Sequence, residues 1–137
     1  MPSFQRPRRD GANTIPSAVD WSGGYTNGGT VAPMQPNPVA IDINGSGQAA
    51  LCAIGAMPLG LLQDFPKIGE NARYENDGVL RYIAGAAITA GAKLTVGANG
   101  YLIPAAGGGG VVVAKALYAA NQGDISTCEY LGYAGTV

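Results

Sequence analysis

The sequence predicts an all-β fold, a small β-barrel or β-sandwich preceded by an extended N-terminal arm. Three observations carry this. Short apolar segments alternate with polar residues at the two-residue period of a half-buried strand, as in "VAIDI" at 39–43 and "AKLTV" at 92–96. Turn signals separate them, with "NGSG" at 44–47, "NDG" at 76–78, "NG" at 99–100 and "QGD" at 122–124. Gly (22 residues) and Pro (9) are abundant, and neither a collagen period nor a long amphipathic helical pattern is present.

Residues 1–38 form the predicted arm. Pro2, Pro7, Pro16, Pro33, Pro36 and Pro38 remove backbone donors and disfavour helix in the residues before them. Phe4, Ile15, Val19 and Trp21 are apolar anchors along an otherwise polar stretch. Trp21 reads equally as a cap on the core of the body. Arg6, Arg8 and Arg9 form the one basic cluster, which suits either a docking contact or a solvated end.

Residues 39–137 form the predicted β-rich body. Val39, Ile41 and Ile43 alternate with Ala40 and Asp42. "QAALCAIGAM" at 48–57 is a buried strand or a short helix by its pattern, and "LGLLQDF" at 59–65 is a second apolar run. "VLRYIA", "YLI", "VVVAKALYA" and "ISTCEYL" supply further strands. In "AKLTV", Leu94 and Val96 point inward and Lys93 and Thr95 outward. In "ISTCEYL", Ser126, Cys128 and Tyr130 share one face and Ile125, Thr127, Glu129 and Leu131 the other. The segments between turns are too dissimilar to read as a repeat.

Composition bounds the function. Charged residues are 12% of the chain, against ~25% in an average soluble protein, which suits a surface lying against other protein. The net charge of −1 argues against general nucleic-acid binding, which needs a broad basic surface. The start has no apolar run behind its arginines, so no secretory signal is expected. The longest apolar stretch, 49–62, is shorter than the ~20 residues of a membrane helix.

Chemistry is poorly supplied. There is no histidine, which removes the commonest general base and most transition-metal sites. Cys52 and Cys128 lack metal or redox spacing and read as buried thiols. The carboxylates, Asp42, Asp64, Glu70, Glu75, Asp77, Asp124 and Glu129, mostly sit beside turn residues, where Asp is a turn former. Gly107–Gly110 does not satisfy the phosphate-loop spacing, because no Lys-Ser/Thr follows at the required position. A hairpin loop is the better reading of these glycines. No catalytic residue, cofactor, metal or small-molecule substrate is expected.

Residues 84–132 carry a resemblance. "AGAAITAGAKLTVGANGYLI" followed by "VVVAKALYAANQGDISTCEYL" resembles the C-terminal half of the head decoration (cement) proteins of tailed bacteriophages. The family pattern runs "aGaaItaGdkltvdanGkv", then a variable loop, then "vvGvAleaanaGdivev". Lys115 departs from it at a position usually small or apolar, and so does the arginine-bearing arm. The resemblance implies a β-tulip or small-barrel domain, often a homotrimer, on the outer capsid surface of a virion assembled in the host cytoplasm. Its partner would be the major capsid protein, with no nucleic acid or membrane bound, and its role capsid stabilisation without enzymatic activity. An arm in related proteins adds a strand to the capsid protein, as an extended segment can. Phe4, Arg6, Arg8, Arg9 and Trp21 are then the expected capsid-contact residues. The base of a trimeric fibre or spike is the alternative, and a lipoyl-type carrier with Lys93 as its modified residue is a third.

Overall fold

The computed structural model describes residues 14–19, 21, 26–27, 30–31, 38–64, 66–105 and 110–132. The described residues form twelve strands and one short 3-10 turn, in two five-stranded antiparallel sheets and a two-stranded ribbon. The first sheet contains β1 (Thr14–Pro16), β4 (Ala40–Ile43), β5 (Ala49–Leu51), β6 (Gly60–Leu62) and β7 (Asn71–Glu75). The second contains β8 (Gly78–Ile83), β9 (Lys93–Val96), β10 (Leu102–Pro104), β11 (Ala114–Ala116) and β12 (Ile125–Tyr130). The ribbon pairs β2 (Thr26–Asn27) with β3 (Thr30–Val31).

The two sheets are the same unit built twice. Numbered within a unit, the strand order is 1-5-4-2-3 in both, because β1-β7-β6-β4-β5 matches β8-β12-β11-β9-β10. In each unit the outer strands meet at one parallel bridge, Ser17 with Ala49 and Ala84 with Leu102. The sheets therefore curl until their edges touch, with Ala18 N–H donating to Ala49 O at 2.9 Å and Gly85 N–H to Leu102 O at 2.8 Å. Bringing the edges together hides backbone groups that would otherwise template aggregation.

Register matches as well as order. Ile41 pairs with Leu51 and Gly60, as Leu94 pairs with Pro104 and Ala114. Leu61 lies opposite Glu75, as Lys115 lies opposite Glu129. Leu59 N–H donates to Ile41 O and Val113 N–H to Leu94 O. The turn before the fifth strand is reproduced with its side chain: Lys67 N–H donates to Glu70 Oε1 and Asn121 N–H to Asp124 Oδ2, both at 2.9 Å. Gly69 (φ 87°) and Gly123 (φ 90°) take the same left-handed place in it.

Each unit has its own core. The first encloses Trp21, Val39, Ile41, Ala49, Leu62 and Ala72, with Ile83 reaching in from the second unit. The second encloses Tyr82, Ile88, Leu94, Val96, Leu102, Val113, Cys128 and Tyr130, with Ala40, Cys52 and Leu61 reaching in from the first. The interior positions of β12 are Ser126, Cys128 and Tyr130, as the alternation predicts; Cys128 and Tyr130 are buried and Ser126 partly so.

Several expectations change. Residues 14–19 and Trp21, assigned by sequence to the arm, belong to the first unit through β1 and its core. Of the two readings open for "QAALCAIGAM", the structure takes the strand, β5, followed by a turn. Thr95 is buried rather than outward and exposed, because Gly110 lies over it. Ile43 shares a face with Ile41 yet is 52% exposed. Ile103, next to the buried Leu102 on β10, is partly exposed.

Candidate interaction surface

Of the five residues expected to touch a capsid, Trp21 is described and is 4% exposed. Its backbone N–H donates to Pro66 O at 2.8 Å, as Ile88 N–H donates to Ala120 O in the second unit. Trp21 thus takes the place of Ile88 and fills the core, the alternative its sequence context allowed. Phe4, Arg6, Arg8 and Arg9 lie outside the described residues, as do Gly107–Gly109.

The described carboxylates are largely engaged by backbone. Asp42 Oδ1 accepts from Ile43 N–H at 2.8 Å, and Asp64 Oδ1 accepts from Arg73 N–H at 3.2 Å. Glu70 and Asp124 cap their turns as described. A shallow groove beside Ile88, Thr89, Ala119 and Ala120 includes Asp124, whose Oδ2 already takes the Asn121 N–H. No cluster of three or more metal-binding side chains occurs among the described residues. No helix among them is long and apolar enough to cross a membrane.

The thiols are free, buried and unreactive by environment. Burial pushes Cys52 up to about 12, with the nearby Asp42 charge adding to it. Burial alone pushes Cys128 up to about 12. Thiolate is the nucleophilic and metal-binding form, so both groups are held away from that chemistry. The Tyr82 and Tyr130 hydroxyls are buried beside Cys128, raised chiefly by desolvation. Among the described residues the Tyr130 hydroxyl finds no hydrogen-bond partner, and Ser126 lies beside the hydroxyl of Tyr82.

The most developed surface feature is the joint between units and its counterpart. In the second unit the ladder between β9 and β11 opens past Leu94 and Val113, and Gly55 of the first unit enters the gap. Its N–H donates to Val96 O at 2.8 Å and its C=O accepts from Val111 N–H at 3.0 Å. Gly55 does this at φ 74°, a conformation that favours glycine. Beside it, the turn at Gly100 rests on the first unit so closely that a Cβ there would sit 2.8 Å from Ala40 O.

By register, Val96 corresponds to Ile43 and Val111 to Met57. Val96 is fully buried, while Ile43 and Met57 are 52% and 41% exposed. No described residue takes the Gly55 place between them.

The opposite end of the molecule differs in chemistry. Ala40 and Leu61, paired across β4 and β6, are covered by the second unit. Their equivalents are Lys93 and Lys115, opposite each other on β9 and β11 and both exposed. Like charges so placed repel, and Glu129 opposite Lys115 offsets one of them. Sequence reasoning saw Lys93 and Lys115 singly; their pairing needs the β9–β11 register. The joint itself gives no sequence signal beyond an isolated Gly55.

No protein-family model matches the chain. No curated protein matches it either. Among solved structures it is similar to the N base of head fiber gp8.5 of bacteriophage phi29, at 19% identity and a TM-score of 0.59. The match covers 73% of this chain and 86% of that one, and it is a likeness of fold.

Proposed function

We propose that this chain is a non-enzymatic structural protein of a tailed-phage head, a decoration protein bound to the outer capsid surface and bridging major capsid subunits. The carrying observation is the shared fold with a phage head-fiber base over most of both chains. The decoration-protein resemblance of residues 84–132 and the low charge support the same reading. The mechanism is multivalent: three copies, each with an arm bearing Phe4, Arg6, Arg8 and Arg9, combine weak contacts into a stable clamp. Trp21 serves by anchoring the arm's root in the first unit rather than by touching the capsid.

A second reading, the base of a head fibre, is favoured by the same structural likeness. Cosedimentation of the full chain with expanded, empty capsids tests both. Pelleting with capsids is expected, and a chain that stays in the supernatant at all concentrations overturns both. Removing residues 1–11, which spares β1, should weaken binding at least about tenfold if the arm contributes to avidity. Unchanged binding removes the arm from the mechanism. Stoichiometry separates the readings, since a decoration protein covers the shell and a fibre base occupies few sites.

A further inference from the structure

We propose that copies of this chain exchange their second units: β8 to β12 of one copy seat on the first unit of another, through the joint that otherwise closes within a single chain. The partner is a second copy, and residues 76–78 are the hinge.

The connector between the units points to exchange. β7 ends at Glu75 and β8 starts at Gly78, so Asn76 and Asp77 alone join two sheets that each have a full strand order and a core. Asn76, Asp77, Gly78 and Val79 are all exposed, and β7 and β8 belong to different sheets. The closed form holds Gly78 at φ 84°, a backbone state that favours glycine. Turning Gly78 to an extended φ would run β7 into β8 as one strand from Asn71 to Ile83, about 40 Å long. That length holds the two units of one chain apart and leaves each free to meet its complement on another copy. A short connector between units that fit each other is the arrangement that favours exchange.

The joint supplies the affinity, and it is the same in both forms. Ala40, Cys52 and Leu61 of the first unit enter the second core, and Ile83 of the second enters the first. Gly55 N–H donates to Val96 O at 2.8 Å and Gly55 C=O accepts from Val111 N–H at 3.0 Å. The turn at Gly100 meets Ala40 and Leu51. Each of these contacts runs from one unit to the other, so each is remade unchanged when the second unit comes from another chain. An opened chain leaves Ala40, Leu61 and Ile83 without cover, and regains that burial by closing on itself or on a partner. Connector conformation and protein concentration set the balance between the two.

Refolding the full chain from denaturant at rising concentration, in reductant and with mass read by light scattering, tests this. A closed oligomer, a dimer at its smallest, should grow with refolding concentration and persist on dilution, because leaving it requires the joint to open. Monomer alone at every concentration, or an oligomer that dissociates at once on dilution, overturns the proposal. Gly78→Val, placed where a Cβ meets nothing within 4 Å, penalises only the left-handed state. It should raise the exchanged fraction at least about tenfold. Inserting Gly-Ser-Gly between Asn76 and Asp77 should lower it by a similar factor, since a longer connector lets each second unit return to its own chain. An oligomer unaffected by both changes overturns the proposal. Cutting the isolated oligomer before Asp77 with an Asp-directed protease reads the exchange itself. An exchanged oligomer should fall to the mass of one chain, because the connectors alone link its pairs of units. One held by surface contacts keeps its mass and refutes the exchange. None of these measurements uses capsids, so their failure leaves the capsid-binding test intact.

Discussion

Gly47 and Gly100 occupy the same place in the two units, at φ 77° and 75°, and differ only in what surrounds them. A Cβ on Gly47 meets nothing within 4 Å, whereas one on Gly100 meets Ala40 O at 2.8 Å. Gly47→Ala should therefore cost about 1–2 kcal/mol from the left-handed backbone alone. Gly100→Ala should cost about 2–4 kcal/mol, because strain and a backbone clash add. Urea denaturation of both variants measures the difference, and equal costs would mean the two units do not press together at that turn. The thiols make a second residue-scale prediction. Both are raised from 9.0 to about 12, so above pH 9 the unfolded chain releases protons that the native chain retains. Stability should be flat in this respect below pH 9 and fall as pH rises from 9 towards 12. Cys128→Ala should flatten that fall in a thermal-melting series. At pH 8 the native chain should resist alkylation by iodoacetamide at both positions until denaturant is added.

At the scale of elements, the central strands and the turns were legible and the closing strands were not. β4, β9, β10 and β12 follow the alternation of "VAIDI", "AKLTV", "YLI" and "ISTCEYL", and their turns fall at the Asn-Gly and Gln-Gly-Asp signals. β7 was missed because "NARYE" offers only Ala72 as a fully buried position among polar residues. It is a strand because β1 and β6 hold it on both sides, a tertiary cause with no local trace. β1 was hidden in a proline-rich segment; Pro16 is tolerated there because the strand is at the sheet's edge. The duplication escaped for a related reason. Backbone pairing is preserved while side chains have diverged, as with Leu61 against Lys115, and the ribbon β2–β3 lengthens only the first unit. Of the expected contact residues, the structure draws Trp21 inward, so Trp21→Ala should destabilise the fold by about 3–5 kcal/mol. Chemical denaturation tests this, and a loss of capsid binding with unchanged stability would return Trp21 to the surface.

At the scale of the whole molecule, the two units carry different outward chemistry on a common frame. Among the described residues, the first exposes Ile43 and Met57, and the second exposes Lys93 and Lys115. One chain thus has two unlike ends, which suits a part added in series or around an axis on a larger surface.

Pairing the first strand of each unit with its fifth also has a consequence for synthesis. The first unit is complete in sequence once Glu75 has been made, while β8 to β12 are still to come. During that interval Ala40 and Leu61 have no cover, and Gly55 has no gap to enter. The nascent chain therefore passes through a stage in which a finished sheet shows an apolar flank, closed only when β9 and β11 arrive. The interval between the two halves is where the growing chain is most open to pairing with the wrong neighbour.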